Sequence, residues 1–145
     1  MACKLTMSVI SETQVGNIGD DWKYDLEAKV YNPALTATGT ISVAKHILPS
    51  DSTQEPPGPP EAVTMDAGEC GSEMNIRLKL KATEVDFLKS DTGTHEIKIT
   101  AQCPGPDGAP NSNDQEISVG VRESPGLTEK SAILNLVVRL VASCE

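Results

Sequence analysis

The feature that most constrains the fold of this chain is a strict alternation of apolar and polar residues. In the stretch WKYDLEAKV, residues 22–30, every second side chain is apolar, and the residues between them are Lys, Asp and Glu. A strand places alternate side chains on opposite faces, whereas a helix would scatter the same apolar set around its axis. The segment is therefore predicted as a strand with one buried face and one solvent-facing face.

The same period of two recurs along the chain, in segments bounded by turn-forming residues. These segments are residues 5–9, 41–43, 76–82, 97–101 and 117–121. Aromatic residues make up only 3% of the chain, so the core must come from Val, Ile, Leu, Met and Ala, which favours strand packing. With one further strand near the carboxyl end, the pattern predicts an all-β antiparallel β-sandwich of about seven strands, in a single domain over residues 1–145.

The last predicted strand, AILNLVVRLVA at residues 132–142, is apolar on both faces. Antiparallel sheets commonly keep one face in water, so a strand of this kind needs cover on its second face. Either a loop of the same chain or another subunit would supply that cover. The candidate interface residues on the second face are Ile133, Val137 and Val141.

Two long stretches interrupt the alternation. Residues 49–73 contain five prolines, which cannot donate to a strand ladder, and they are predicted to form a long proline- and glycine-rich loop. Residues 103–116 are rich in turn formers and are predicted to form a second irregular loop. Loops of this length tend to be functional, so capture of a partner by the proline-rich loop stays open.

The net charge limits which classes of binding partner are expected. The formal net charge is -9, which argues against nucleic acid and anionic membrane surfaces, since both require clustered Lys or Arg. No apolar run approaches the ~18 residues that span a bilayer, so no membrane insertion is expected. The amino terminus lacks a signal-peptide pattern, which leaves a cytoplasmic protein or an extracellular one after processing.

Four cysteines, Cys3, Cys70, Cys103 and Cys144, show no CxxC spacing, which argues against a zinc site. An even number permits two disulfides, but the spacing does not define their connectivity. Pairing of the terminal strands would bring Cys3 and Cys144 near each other. We expect free thiols rather than bridges.

No catalytic arrangement is evident. His46 and His95 lie in different predicted strands and neighbour no cysteine or serine in a recognised pattern, so both are expected to be surface histidines. The stretch GNIG lacks the Lys and Ser/Thr of a phosphate-binding loop. The sequence therefore predicts a protein that is not an enzyme and needs no cofactor.

Calcium is the alternative cofactor, because acidic and amide side chains cluster in the predicted loops. The candidate ligands are Asp20 and Asp21 with Asn17, then Asp107 and Asp114 with Asn111 and Asn113, and finally Asp51 and Asp91. Asp, Asn and Gly are also the residues that ordinary turns require, because their side chains bond to their own backbone. The EF-hand spacing is absent, and turn chemistry is the favoured explanation for GNIGDDW.

One stretch, LKLKATEVDFLKSDTGTHEIKI at residues 78–99, resembles the E-to-F corner of immunoglobulin-like domains, in which an Asp-x-Gly/Ala-x-Tyr run follows a short turn. Asp91, Gly93 and His95 occupy those three places, with His95 instead of the tyrosine, and Ile97 stands where the inter-sheet cysteine would be. The resemblance implies an immunoglobulin-like sandwich and no particular ligand.

These observations favour a non-enzymatic protein-interaction or assembly module, with copies of itself among the candidate partners. A calcium-dependent binding or adhesion domain is the second hypothesis, and an enzyme is the third.

Overall fold

The computed structural model describes residues 2–16, 18–33, 35–58, 61–86, 90–123 and 130–145, and all their regular structure is β-strand. The strands are β1 (Ala2–Gly16), β2 (Asp21–Asn32), β3 (Leu35–Ile47), β4 (Ser52–Gln54), β5 (Ala62–Glu69), β6 (Glu73–Glu84), β7 (Asp91–Gln102), β8 (Asn111–Arg122) and β9 (Ser131–Cys144).

These strands form two antiparallel sheets, consistent with a β-sandwich, which confirms the predicted all-β antiparallel class. The sheet that holds the first and last strands, here the terminal sheet, has the order β4-β1-β9-β8, and β5 also pairs with β1. The second, the middle sheet, has the order β3-β2-β6-β7. Each sheet draws strands from both sides of the proline-rich stretch.

The alternation places the core between the sheets. In β2 the side chains of Trp22, Tyr24 and Leu26 are buried, while Lys23 and Asp25 between them are exposed. The other strands contribute Leu, Ile, Val, Met and Ala side chains to the same apolar cluster. Each fully buried Leu or Ile stabilises the fold by roughly 1.5–3 kcal/mol relative to an exposed one, so this layer is the main source of stability.

The structure corrects the prediction for residues 49–73. This stretch contains β4 and β5, so the described residues form nine strands rather than about seven. Apart from Pro49, its prolines fall within positions 56–60, of which 59 and 60 lie outside the described residues. The following segment has no proline and alternates, with Met65 and Ala67 buried, so it pairs along β1.

The second predicted loop, residues 103–116, is also shorter than expected. It is irregular over residues 103–110, because β8 begins at Asn111 and pairs with β9 from its first residue. Residues 111–114 are all exposed, so this part of β8 carries no alternating pattern. A strand at these positions therefore has no signature in the sequence.

A β-bulge between Val9 and Ser11 changes which side chains of β1 face the core. Before the bulge the odd-numbered Leu5 and Met7 point inward, as predicted. After it the inward residues are even-numbered, and the bulge thus buries two polar side chains, Glu12 and Gln14, each at 0% exposure. A single extra residue in a strand shifts the two-residue period in this way.

The four cysteines form two disulfides, Cys3–Cys103 and Cys70–Cys144, so the expectation of free thiols is wrong. Strands β1 and β9 do place Cys3 opposite Cys144, as terminal-strand pairing would require. Each of the two is bonded instead to a cysteine immediately after another strand, Cys103 after β7 and Cys70 after β5. Spacing along the chain contains no information on those two turns.

Candidate functional site

Three strand ends meet at the end of the middle sheet farthest from the disulfides. Glu84, the last residue of β6, pairs with Asp91, the first residue of β7, and with Trp22 of β2. The preceding residue, Asp21, accepts a hydrogen bond through its backbone oxygen from Val85 N at 2.7 Å. Hairpin register and strand order thus gather acidic residues that are far apart in sequence. We refer to Asp21, Glu84, Asp86 and Asp91 as the acidic end.

Three of these carboxylates are close enough to bind one metal ion. One carboxylate oxygen from each of Glu84, Asp86 and Asp91 lies within 4.8 Å of the others. Asp86 is exposed, whereas Glu84 and Asp91 are buried. The cluster therefore reaches from the surface into the end of the sandwich.

Glu84 occupies an unusual environment for a carboxylate. It is only 3% exposed, and its Oε2 atom has no hydrogen-bond partner. Its other oxygen lies against Gly19, where an added Cβ would come within 2.0 Å of Glu84 Oε1. Gly19 also has a φ of 149°, which L side chains rarely adopt. Gly19, the second glycine in GNIGDD, thus leaves space for this glutamate.

The charges around Glu84 repel its ionised form. Burial raises the pKa of Glu84 to about 7, and the negative charges of Asp86, Asp91, Asp21 and Glu123 act in the same direction. Burial removes water from the charged carboxylate, and nearby carboxylates oppose a further negative charge. An added cation would relieve both effects.

The candidate calcium ligands from the sequence do not form one site. Asp21 belongs to the acidic end, and the backbone oxygen of Asp20 accepts a hydrogen bond from Leu48 N at 2.7 Å. Asp107 is exposed in the turn after β7, at the opposite end of the middle sheet. Asp114 forms an ion pair with Arg139 across β8 and β9, at 2.9 Å, which lowers the pKa of its carboxyl group.

The other candidates of that group have separate hydrogen-bond partners and do not come together. Asp51 accepts a hydrogen bond from Gly16 N, Asn111 donates to the Gln102 backbone oxygen, and Asn113 accepts from Gln115. Asn17 lies outside the described residues. The sequence analysis considered Asp91 but not Glu84 or Asp86, although all three fall within the short stretch of residues 84–91.

The candidate interface residues lie on the outer face of the terminal sheet. Ile133 is 46% exposed, and Val137 and Val141 follow along β9 with partial burial. Directly across the strand pair from Ile133 is Val15 of β1, which is 51% exposed. These four residues, here the outer apolar row, form a line of hydrocarbon on an otherwise Ser-, Thr- and charge-rich face.

A cleft of about 800 Å³ opens beside the edge strand β3. It is lined by residues 8–10, 41–46 and 55–58, together with Glu61 and Arg139. The cleft lies where β1 lacks a neighbouring strand on one side. Strand β5 pairs with residues 2–8 of β1, and β4 pairs with residues 12–14. The backbone between these two ranges has neither strand as a neighbour.

Behind this cleft lies a buried polar network centred on Glu12. Its carboxylate accepts hydrogen bonds from Tyr24 Oη at 2.7 Å and from Gln54 Nε2 at 2.9 Å. His46 Nε2 lies 2.5 Å from Glu12 Oε1, and His46 Nδ1 lies 2.8 Å from the Ala44 carbonyl oxygen. Since a carbonyl only accepts, Nδ1 carries the proton of that bond.

The surface position expected for His46 is wrong, because its side chain is only 9% exposed. Burial acts to lower the pKa of His46, but the hydrogen bonds to Glu12 and to the Ala44 carbonyl, with the charge of Glu12, outweigh it and raise the pKa. Burial, followed by the charge of Glu12, also raises the pKa of Tyr24. Both ring nitrogens of His46 are thus engaged within the network. His95 is exposed, as predicted.

Comparison of the chain with protein-family models, curated proteins and solved structures gives no match. Across the described ranges, no helix has the length and apolar character needed to cross a bilayer.

Proposed function

We propose that this chain is a non-enzymatic protein-interaction and assembly module that associates with a second copy of itself through the outer face of the terminal sheet. The observation that carries the proposal is the exposure of the cross-strand pair Val15 and Ile133. Two of the three large hydrophobic residues that are exposed among those described thus lie side by side. Contiguous exposed hydrocarbon on a folded surface is typical of interaction sites.

The position of β9 favours association through the outer face of the terminal sheet rather than through a strand edge. This strand lies between β1 and β8, so both of its edges are already paired. A partner would therefore stack on the sheet rather than extend it. In a two-fold dimer the same row meets itself, and Val137 and Val141 would lengthen the apolar contact beyond the Val15–Ile133 pair.

Two ion pairs lie on this face, Arg139 with Asp114 and Lys4 with Asp66. The exposed Glu116 lies directly across from Val137 and adds a negative charge beside the row. The overall charge of -9 adds a long-range repulsion that salt screens.

The absence of catalysis remains part of the proposal. Both nitrogens of His46 are hydrogen-bonded, and the described cysteines are all in disulfides. Neither group offers a free nucleophile or base in the described residues. The two disulfides support an oxidising compartment, where such bonds persist.

The immunoglobulin-like identity is likewise a proposal. It rests on the two antiparallel sheets, whereas the corner motif of Asp91, Gly93 and His95 lends it no support: β6 and β7 on either side of that corner pair in one sheet, while strands E and F of immunoglobulin domains belong to opposite sheets. An experimental structure whose strand connections superpose on immunoglobulin-like domains would establish it, and a different connection order would reject it.

The assembly proposal is tested by light scattering after size exclusion over a range of protein concentrations. Wild-type protein is expected to shift from monomer to dimer as concentration and salt increase. Ile133→Glu should keep the protein monomeric, because it places a charge in the centre of the contact. Ile47→Glu is the matched control, since Ile47 is 64% exposed but lies on β3 of the middle sheet.

A monomeric wild-type protein at all concentrations would reject self-association. Equal dissociation by both substitutions would show that the row is not the contact. In either case the cleft beside β3, bordered by the proline-rich stretch, is the next surface to test for a protein partner.

A further inference from the structure

We propose that the acidic end is a calcium-binding site, with Glu84, Asp86 and Asp91 as its carboxylate ligands. This site differs from the loop clusters that the sequence indicated, because it arises where β2, β6 and β7 end side by side. It is also independent of the assembly proposal, which concerns the outer face of the other sheet.

The spacing of the carboxylates suits a single ion. Calcium binds oxygen ligands at about 2.3–2.6 Å, so two ligand atoms on one ion are separated by at most about 5 Å. The carboxylate oxygens of Glu84, Asp86 and Asp91 lie within 4.8 Å of one another, inside that limit. One ion can therefore contact all three residues.

The buried carboxylate of Glu84 gives independent support. A charged oxygen that is removed from water without a hydrogen bond is unfavourable, and proteins normally give such a group a partner. Glu84 Oε2 has none, although the residue is only 3% exposed and its carboxylate belongs to the cluster. A cation at the centre of the cluster would be that partner.

The backbone around Glu84 is shaped to hold it in this position. Gly19 leaves space that a Cβ would fill, with a contact of 2.0 Å to Glu84 Oε1. The hydrogen bond from Val85 N to the Asp21 backbone oxygen, at 2.7 Å, fixes the start of β2 beside the end of β6. The position of the carboxylate is thus set by Gly19 and by the adjacent ends of β2 and β6.

The donor atoms select the class of metal. The cluster offers carboxylate oxygens, while the cysteines are bonded at the opposite end and His46 is bonded to Glu12. Zinc prefers nitrogen and sulfur ligands, so an all-oxygen set favours a hard cation. Calcium accepts six to eight oxygens in irregular geometry with water completing its shell, whereas magnesium demands a near-ideal octahedron at shorter distances.

The test uses the full chain after treatment with EDTA, with calcium chloride as the probe. Isothermal titration calorimetry should show saturable binding near one ion per chain. At free calcium about a hundredfold above Kd, the Tm should increase by about 5–10 °C. Magnesium chloride, and sodium chloride at matched ionic strength, should give a much smaller increase.

Substitutions separate a site from general charge effects. Glu84→Gln should raise the Tm of the metal-free protein, because it removes a repelled buried charge, and should abolish most of the calcium-dependent increase. Asp86→Asn changes an exposed ligand, so folding is not at risk, and it should weaken calcium binding at least tenfold. Asp107→Asn is the matched control with the same change of charge at the other end, and it should respond like the wild type.

The proposal is overturned by any of three results. The first is the absence of both binding heat and a Tm shift up to about 10 mM calcium, a concentration well above the Kd of the weakest calcium-binding modules. The second is an equal shift with magnesium or sodium chloride. The third is a full calcium response in both Glu84→Gln and Asp86→Asn.

Discussion

Two buried glutamates, Glu12 in the terminal sheet and Glu84 in the middle sheet, have opposite surroundings. Glu12 lies among hydrogen-bond partners, with Tyr24, His46 and Gln54 all within 2.9 Å of its carboxylate. Glu84 lies among other carboxylates, and one of its oxygens has no partner. The same side chain is therefore a structural component in one place and a candidate ligand in the other, and its neighbours decide which.

The largest expected effect comes from removing Glu12. Glu12→Ala leaves a tyrosine hydroxyl, a histidine and an amide without their acceptor, and should lower the free energy of unfolding by about 3–5 kcal/mol. Urea denaturation near pH 6 measures this loss. Thr13→Ala is the control on the same strand, since its exposed hydroxyl shares one hydrogen bond with Thr53. A loss below about 1 kcal/mol for Glu12→Ala would contradict the structural role.

Removing the charge of Glu84 should have the opposite sign. Above the raised pKa of about 7, the Glu84 carboxylate is charged and repelled, so Glu84→Gln should increase the free energy of unfolding by about 1–3 kcal/mol in EDTA. The new amide can also donate to a neighbouring carboxylate. Urea denaturation at about pH 8 is the measurement. If Glu84→Gln destabilises the metal-free protein, the contrast between the two glutamates fails.

The contact between Gly19 and Glu84 sharpens the comparison. Gly19→Ala should cost about 1–3 kcal/mol, because its Cβ meets the carboxylate and its φ is unfavourable for alanine. In a Glu84→Ala background the collision is gone and only the backbone cost remains, so the penalty should be smaller. Thermal or urea unfolding of the four proteins gives the coupling. Equal penalties in both backgrounds would show that Glu84 does not lie against Gly19.

The smallest effect is a pH dependence that comes from His46. Its raised pKa in the folded protein means that the protonated ring stabilises the fold. That stabilisation is complete below the unfolded pKa of about 6.5 and is lost as pH rises through the folded pKa. His46→Gln should remove this part of the profile, measured by urea denaturation at several pH values. A wild-type profile identical to that of the variant would indicate that folding does not favour the protonated form of His46.

Much of the sandwich follows from the sequence, because burial in a two-layer sheet imposes a period of two. Residues 22–30 and 76–82 show that period without interruption, and their strands lie where the pattern predicts them. The pattern fails where the backbone departs from a regular ladder. The bulge in β1 moves Glu12 to the inside, and the short β4 has too few residues to show a period.

The acidic end was harder to predict, because it depends on strand order and not on local spacing. Asp21 and Asp91 were considered as turn residues. They are far apart in sequence, because Asp21 begins β2 and Asp91 begins β7. Only the pairing of β6 with both β2 and β7 brings them to Glu84. Predicting the disulfides also requires the strand order, since Cys3 pairs with Cys144 across the strands yet is bonded to Cys103.

The two disulfides have a topological consequence for limited proteolysis. They close loops over residues 3–103 and 70–144, which overlap, so every peptide bond between Cys3 and Cys144 lies within at least one loop. A single cut by a protease anywhere in that span leaves both fragments covalently joined. Such a nicked molecule would keep its apparent size in a non-reducing gel and would fall apart only when the thiols are regenerated.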